Sequence, residues 1–465
     1  MLRTSSITFN PSFYSHQNEQ RSRWLFQLAE LVAFPTISAQ SKYHRNLQAC
    51  AQWLVRHLLE IGLHHVQILP GIKGSAPSVY ADWLHAPGKP TLLFYGHYDV
   101  QPVDPLKEWH SNPFQATVIG ENIYGRGTSD DKGQFFIHLK ALESYLKTSG
   151  GLPLNVKIWL EGEEEINSPN LSAFLDREVS RLKSDAVIVS DTQMIAPNRP
   201  SIVYGLRGKL TCELEVVGPK RDLHSGLYGG GILNPLQALS EIIARLHDPS
   251  GRVTIPGFYK RVRDVAPDER RALRHSHRQE NQILNDLDVS SGWGEPGYSL
   301  QERMTIRPAL TINGLSGGYT EGGSKSVIPS RGIARLSFRL VPDQEPVEIA
   351  QLLRQHINKL TPTAVHSRLT ITDSSRPVLL PKNSPVMLAA GRAVEQTWRV
   401  SPIFTRSGGT ISLVEQLYSR MQIPIVLLGF GLPDDNIHAP NEKMNLSKFF
   451  QGIETVIHFL AEYAQ

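Results

Sequence analysis

The sequence predicts an α/β fold, a mostly parallel sheet flanked by helices, with an α+β domain inserted into it. Between residues 21 and 204, helical stretches alternate with short apolar runs, a pattern typical of parallel sheets covered by helices. From 208 to 383, strands alternate apolar and polar residues, as in an antiparallel sheet with one covered face. A buried-type strand returns at 424–429. We therefore expect a first domain formed by 1–207 and 384–465, with 208–383 inserted as a lid or dimerisation domain.

The individual elements follow from local periodicity. Apolar residues spaced for one helix face predict the helices Trp24–Phe34, Arg45–Ile61, Gln134–Lys147, Pro235–Leu246 and Pro385–Trp398. In the last of these, proline stands in the first turn, where its missing N–H is not needed. Short apolar or alternating runs predict strands that include Leu92–Tyr95, Ile158–Leu160, Ala186–Val189, Leu210–Val217, Ala334–Leu340 and Pro424–Gly429.

Acidic residues and histidines cluster just after apolar strand-like runs. In open α/β sheets, ligands bind outside the carboxyl ends of the strands, so we expect these side chains to meet at one edge. Imidazole nitrogen and carboxylate oxygen are ligands that zinc and similar divalent ions take from proteins. The sequence therefore predicts a metal site formed by the segments Thr91–Val100, Tyr124–Gly133, Ile158–Asn167, Ala186–Gln193 and Gly429–Glu442.

Within these segments the residue types suggest roles. Asp99 lies two residues after His97 and would point the same way along a strand, which suits a carboxylate that orients a metal-bound imidazole. The adjacent carboxylates of 163–165 repel one another, and metal binding relieves that repulsion. One of them can bind metal while its neighbour acts as a general base. Asp130 and Asp131 lie in a glycine-rich loop, which permits tight backbone geometry.

Each cluster alone also has a purely structural explanation. A single His-x-Asp is usually a polar turn, three consecutive glutamates are usually a solvated face, and two aspartates before Lys-Gly commonly cap a helix. The clusters nevertheless coincide at strand ends and offer complementary ligand types. This coincidence favours a metal site over independent surface features.

Composition excludes several classes of protein. At 465 residues the chain is long enough for two domains, and its net charge of +4 is small. The basic tract 259–278 also contains acids at helical spacing, which favours a solvated helix over a nucleic-acid surface. No apolar run reaches the length of a membrane span, and the first residues lack the apolar core of a secretory signal. Two cysteines, Cys50 and Cys212, are too few for a disulfide framework, so we expect a cytoplasmic protein.

The motifs resemble those of a known enzyme family. They are GHYDVQP (96–102), GRGTSDDKG (125–133), EGEEE (161–165), SDT (190–192), DLHSGLYGG (222–230), FRLVP (338–342), TRSGGT (405–410) and NIHAPNE (436–442). From about Leu31 to the C-terminus, the chain resembles the di-zinc exopeptidases that include carnosinase, cytosolic non-specific dipeptidase, succinyl-diaminopimelate desuccinylase and acetylornithine deacetylase. The motifs at 222–230, 338–342 and 436–442 look most like the dipeptidase branch.

The resemblance implies a role for each matching residue. It implies a site for two divalent ions, most readily Zn²⁺, with Mn²⁺ or Co²⁺ as alternatives. One ion would be held by His97 and Asp191 and the other by Glu165 and His438, with Asp130 as the bridge. Glu164 would be the general base, Asp99 would orient His97, and the Asp130–Asp131 peptide would be cis. His224 would polarise the scissile carbonyl from the partner subunit of a homodimer formed through the inserted domain. The substrate carboxylate would be held by Arg339, Gly408, Gly409 and Thr410.

The activity implied is hydrolysis of the peptide bond of dipeptides or short peptides by a metal-activated water. An N-acyl-amino-acid deacylase would use the same centre and stays an alternative. A catalytically inactive binding protein is a third possibility, against which the intact set of metal-binding and general-base residues argues. One departure from the family pattern follows the glutamates, because Ile166-Asn167-Ser168 has asparagine where the family often has glycine.

Overall fold

The computed structural model of the protein describes residues 10–276 and 280–465. Two ranges, 1–9 and 277–279, lie outside the described residues. The first is the start of the N-terminal segment in which no secretory signal is predicted, and the second contains the end of the basic tract 259–278. The strands are β1 (His64–Leu69), β2 (Ser78–Trp83), β3 (Thr91–His97), β4 (Thr117–Ile119), β5 (Asn122–Tyr124), β6 (Asn155–Glu161), β7 (Ala186–Val189), β8 (Ser201–Leu206), β9 (Gly208–Val217), β10 (Leu223–His224), β11 (Ala309–Gly317), β12 (Val327–Ile328), β13 (Arg331–Leu340), β14 (His366–Ser375), β15 (Val378–Leu379), β16 (Ile403–Ser407), β17 (Ile425–Leu427) and β18 (Lys443–Asn445).

The helices cover much of the rest of the chain. Their bounds are α1 (Pro11–His16), α2 (Asn18–Val32), α3 (His44–Ile61), α4 (Lys132–Ser149), α5 (Leu171–Leu182), α6 (Ser225–Tyr228), α7 (Pro235–Ala244), α8 (Pro267–Ser276), α9 (Glu280–Asp286), α10 (Leu300–Thr305), α11 (Pro346–Leu360), α12 (Pro385–Trp398), α13 (Ser412–Met421) and α14 (Leu446–Tyr463). None of these helices, within the part of the chain that the structure describes, combines the length and apolarity needed to cross a membrane.

The chain forms two compact units. Unit 1 comprises the described residues up to Tyr204 together with Leu380–Thr405 and Gln416–Gln465. Unit 2 comprises Gly205–Leu379 and the short segment Arg406–Glu415. The sequence pattern assigns this short segment to the returning part of the first domain, whereas in the structure it clusters with unit 2. The reason is a set of long-range hydrogen bonds, described below, that no local pattern encodes.

The large sheet has a parallel centre and antiparallel edges. Its strand order is β1-β2-β6-β3-β7-β17-β8-β15, and β16 pairs with β8. The strands β6, β3, β7 and β17 run parallel, with Phe94 opposite both Ile158 and Ile188. The ladders β1–β2, β2–β6, β17–β8 and β8–β15 are antiparallel. Strand β7 is fully buried, which explains why it reads as a continuous apolar run. The predicted α/β class is confirmed.

Helix α4 packs directly on the central strand β3. Its first half is buried, and Phe135 and Phe136 are at most 1% exposed. Glycine at position 96 permits the close approach, because an added Cβ there would lie 2.4 Å from Cβ of Phe135. The helix therefore begins beside the end of β3, directly after Asp131. Helix α14 packs in turn on α4 and on α12.

The parallel strands end at one edge of the sheet. The N–H of Tyr98, just past β3, donates to the carbonyl of Glu161 at the end of β6 (2.8 Å). The N–H of Leu428, just past β17, donates to the carbonyl of Val189 at the end of β7 (3.0 Å). The segments that follow these strands contain most of the acid and histidine clusters, so the topology brings them to a common edge.

Unit 2 has an α+β architecture. Its antiparallel sheet has the order β11-β13-β9-β14, and the residues of β9 are alternately buried and partly exposed. Helices α7 and α11 pack against this sheet, with Leu239 and Leu353 among the buried contacts. This pattern is that of a sheet with one face covered, as the alternating strands predict.

Candidate metal centre

Two groups of candidate metal ligands in unit 1 share a single residue. The first group is His97, Asp130 and Asp191, and the second is Asp130, Glu165 and His438. In each group, one ligand atom from every residue lies within 4.8 Å of the others. The shared Asp130 is what a carboxylate bridge between two ions requires.

The two carboxylate oxygens of Asp130 face different histidines. Oδ1 lies 3.1 Å from Nε2 of His97, and Oδ2 lies 2.8 Å from Nε2 of His438. Asp191 lies beyond His97, with 3.9 Å between Oδ2 and Nε2. Glu165 lies beyond His438, with 3.3 Å between Oε2 and Nε2. The structure therefore brings together the five side chains that the resemblance implies as ligands, in the same two groups.

The Nε2 atom of His97 is buried and has no hydrogen-bond partner among the described residues. The imidazole is fully buried, and Nε2 makes no hydrogen bond although Asp130 is close. Nδ1 lies 3.2 Å from the backbone carbonyl of Asp99 and 3.4 Å from its Oδ1. In the tautomer that carries its proton on Nδ1, where these oxygens can accept it, Nε2 would keep a lone pair able to bind a metal.

Several buried carboxyl groups lie close together at this edge, and the pKa values of two of them are raised. Burial, together with the charge of Asp130, raises the pKa of the Asp191 carboxyl to about 7. Burial also raises the pKa of Glu164 well above its usual range, with Asp191 and Glu165 acting in the same direction against the opposing effect of His97. A divalent cation would compensate this crowding and favour the ionised carboxylates. The donor set of two imidazoles and three carboxylates fits such ions.

Asp99 contacts both sides of the site. Besides facing His97, its carboxylate accepts hydrogen bonds from the backbone N–H groups of Glu164 (3.2 Å) and Glu165 (3.1 Å). These two residues begin a single 3-10 turn, Glu164–Ile166. Asp99 therefore fixes the backbone of the glutamate turn as well as an imidazole. The second contact has no signal in the sequence, because it joins residues far apart in the chain.

Asparagine replaces glycine after the glutamates without disturbing the turn. Asn167 has φ +63°, in the left-handed region that favours glycine but that asparagine also adopts at modest cost. Its N–H donates to the carbonyl of Glu164 (2.7 Å). The departure from the family pattern is therefore compatible with the loop shape that holds Glu165.

Hydrogen bonds join two loops of unit 1 that contain candidate ligands. The carboxylate of Glu442 accepts from the backbone N–H groups of Ser129 (2.9 Å) and Asp130 (3.0 Å). The peptide between Asp130 and Asp131 is cis, and Oδ2 of Asp131 accepts from the N–H of His97 (3.1 Å). Sequence reasoning gave Glu442 no role, since an acid late in a loop carries no signal of a distant backbone partner.

The residues expected to hold a substrate carboxylate meet in unit 2. A guanidinium N–H of Arg339 donates to Oγ1 of Thr410 (2.8 Å), and that hydroxyl donates to the carbonyl of Arg207 (2.5 Å). Nε of Arg207 donates to the carbonyl of Gly408 (3.0 Å), and its backbone N–H donates to the carbonyl of Gly409 (3.1 Å). These bonds hold the 408–410 loop in unit 2, and they identify Arg207 as a supporting residue that the sequence did not suggest.

His224 of unit 2 caps the short helix α6. It is exposed, and its Nδ1 accepts a hydrogen bond from the N–H of Gly226 (3.0 Å). An imidazole that accepts at Nδ1 carries its proton on Nε2 when it is neutral. His224 can therefore donate a hydrogen bond from Nε2.

Comparison with known proteins is consistent over nearly the whole chain. The family model described as Peptidase family M20/M25/M40 matches residues 93–462. The Cys-Gly metallodipeptidase DUG1 of Candida albicans is 30% identical and covers 96% of this chain, which covers 96% of that protein. The solved structure of human carnosine dipeptidase 1 is 27% identical with a TM-score of 0.84, covering 98% of both chains. A metallo-carboxypeptidase of Sulfolobus solfataricus, Sso-CP2, is 33% identical with a TM-score of 0.85, covering 95% of this chain and 99% of its own.

These matches confirm the resemblance first recognised in the motifs, including its dipeptidase branch. They also agree with the α/β fold of the structure. The chain belongs to Peptidase family M20/M25/M40.

Proposed function

We propose that this protein is a metal-dependent dipeptidase that hydrolyses the peptide bond of dipeptides with a free C-terminal carboxylate. The observation that carries the proposal is the pair of ligand groups that share Asp130. His97 and Asp191 would hold one divalent ion, and Glu165 and His438 the other. Zn²⁺ suits imidazole and carboxylate ligands, and Mn²⁺ or Co²⁺ are the alternatives. Two ions in such a site supply Lewis acidity to a scissile carbonyl and lower the pKa of water.

Glu164 is the proposed general base. It belongs to neither ligand group among the described residues, although its neighbour Glu165 does. Burial raises the pKa of its carboxyl, and a raised pKa improves a carboxylate as a proton acceptor near neutrality. Glu164 would take a proton from the attacking water and return it to the leaving amine. Asp99 would hold Glu164 in position, because its carboxylate accepts a hydrogen bond from the backbone N–H of Glu164.

Unit 2 supplies the proposed contacts to the substrate. Arg339 and the Gly408–Thr410 loop would bind the substrate carboxylate, since a planar guanidinium pairs well with one. The Nε2–H of His224 would donate to the scissile carbonyl oxygen and stabilise the charge that develops there.

The oligomer proposed is a homodimer formed through unit 2, with His224 of the partner subunit acting at each metal centre. Two observations support it. His224 is exposed, and the neighbouring Leu227 and Tyr228 are 77% and 44% exposed, as apolar residues at an interface are before association.

We place the protein in the cytoplasm, a location that suits its free, buried cysteines.

The substrate class is supported by the names of the relatives, one a Cys-Gly metallodipeptidase and another a carnosine dipeptidase. A carboxypeptidase acting on longer peptides is the second candidate, because the similar Sso-CP2 is a metallo-carboxypeptidase. A deacylase acting on N-acyl amino acids would use the same centre.

One substrate panel tests these alternatives. Protein loaded with Zn²⁺, Mn²⁺ or Co²⁺ is assayed with Cys-Gly, β-Ala-His, a tripeptide, a C-amidated dipeptide and an N-acetyl amino acid. We expect hydrolysis of unblocked dipeptides and loss of activity on the amidated one. Preferred release of the C-terminal residue from the tripeptide would establish the carboxypeptidase instead, and preferred deacetylation the deacylase. No metal-dependent hydrolysis of any of them would overturn the proposal.

A further inference from the structure

Glu442 is a buried acid that the proposed reaction does not use. Its side chain has no exposed surface, and Oε2 pairs with a guanidinium nitrogen of Arg126 at 2.7 Å. Oε1 accepts from the backbone N–H groups of Gly127 (3.1 Å), Ser129 (2.9 Å) and Asp130 (3.0 Å). Both oxygens are therefore engaged by donors of the loop that ends at Asp130.

The same contacts extend to the loop that carries His438. Glu442 follows His438 in one loop, and its backbone carbonyl accepts from the N–H of Gly125 (2.9 Å). Arg126 donates a further hydrogen bond to the carbonyl of Ala439, next to His438 (3.2 Å). Glu442 and Arg126, which are 316 residues apart in the sequence, thus join these two loops.

Glu442 does not resemble a ligand. Its oxygens point to N–H groups, and neither ligand group within the described residues includes it. Its contacts instead join the backbone at Asp130 to the loop of His438, and in this arrangement Asp130 presents one oxygen to each histidine. A shift of this loop would affect both ligand groups at once, because Asp130 belongs to both.

We infer that Glu442 is a positioning residue of the metal centre: it fixes the Asp130 loop against the His438 loop so that Asp130 can bridge two cations. The inference rests on the two-cation site of the proposed function. This role differs from that of a ligand other than Asp130, because each of those ligands belongs to one group only, whereas Glu442 would affect both groups through Asp130. Residues that orient metal ligands typically change metal affinity by about 10–100-fold when they are replaced.

Cation binding measures this role without any substrate. Metal-free protein is titrated with Zn²⁺ by calorimetry and with Co²⁺ by visible absorption. In Glu442→Gln the amide would present a donor to Arg126 or to backbone N–H groups, so both binding steps should weaken by about 10–100-fold and the Co²⁺ spectrum should change. In Glu165→Gln one step should weaken and the other should persist. Asp434→Asn is the matched control, because Asp434 lies in the same loop and its side chain is 72% exposed.

A second variant separates positioning from general stability. Glu442→Asp keeps a buried charge opposite Arg126 but is too short to reach all of its partners, and it should show weakened binding in both steps while it remains folded by circular dichroism. It also serves if Glu442→Gln fails to fold. Wild-type affinities in folded Glu442 variants would overturn the inference and leave the proposed metal centre standing. Absence of two-cation binding by the wild type would overturn both.

Discussion

Oδ2 of Asp99 accepts a hydrogen bond from the backbone N–H of Glu165 at 3.1 Å, so the residue that faces His97 also holds the glutamate turn. We predict that Asp99→Asn lowers kcat and cation affinity by about 10–100-fold, because the amide can accept only one of the two N–H groups. Steady-state kinetics and calorimetric titration with Zn²⁺ measure the two effects. Unchanged values in a folded variant would show that Asp99 does not support the site.

Replacement of the proposed general base should separate the loss of turnover from any loss of metal binding. Glu164→Gln should retain both cations and the fold but lose turnover by about 10²–10⁴-fold, since only proton transfer is removed. Elemental analysis and kcat test this directly. Glu165→Gln provides the contrast, because it should lower the content of one cation. Near-normal kcat in Glu164→Gln would make the assignment of the base wrong.

Subunit mixing tests whether His224 acts across a dimer. Homodimers of His224→Ala and of Glu164→Gln should each be nearly inactive. In a mixed dimer, one active site would combine an intact Glu164 with an intact His224 from the other chain, so part of the activity should return. If subunits exchange and no activity returns, His224 acts within its own chain or has no catalytic role.

The cap formed by His224 makes a milder test of the same residue. An added Cβ at Gly226 would lie 2.8 Å from Cε1 of His224, so Gly226→Ala should displace the ring. We expect a loss of kcat in the same direction as His224→Ala but smaller, with an unchanged Zn²⁺ affinity. Gly231→Ala is the control, because its added Cβ would meet only the carbonyl oxygen of Tyr228 at 3.6 Å. Equal effects of the two variants would contradict the expected role of the ring.

The turn after the glutamates allows a prediction about stability. Asn167 has φ +63°, a region that costs residues other than glycine and asparagine about 1–2 kcal/mol. Asn167→Val should therefore lower the free energy of unfolding by at least about 1 kcal/mol, whereas Asn167→Gly should change it by less. Denaturant unfolding of the metal-free protein measures both. A fully tolerated valine would mean that the turn relaxes to another conformation.

Much of the fold follows from local pattern. Helix α12 has the bounds Pro385–Trp398 that the sequence predicts, because a proline in the first turn marks its start. Helix α2 begins at Asn18 rather than Trp24, since its first residues are mainly polar and exposed or partly exposed and carry no apolar period. The strand-end rule indicates that His97, Glu165 and Asp191 meet, because the parallel strands that precede them share an edge. It does not predict the position of Asp130, which follows β5 of a separate antiparallel sheet.

Other parts of the site depend on contacts that join distant residues. Arg207 and Glu442 form hydrogen bonds mainly with backbone groups. Nearly every residue has the same backbone N–H and C=O groups, so the sequence does not show which residue is the partner. Their roles therefore have no motif. The assignment of 406–415 to unit 2 has the same origin, since the carbonyls of Gly408 and Gly409 are held by Arg207.

The position of β17 in the sheet has a consequence for how the chain is made. This strand, Ile425–Leu427, lies between β7 (Ala186–Val189) and β8 (Ser201–Leu206), although all of unit 2 up to Leu379 is synthesised before it. During translation the central sheet lacks one of its inner strands until β17 emerges, by which time the sheet and helices of residues 205–379 have already been synthesised. His438 lies eleven residues after the end of β17, so the proposed set of metal ligands is complete only after the strand that closes the central sheet has been made.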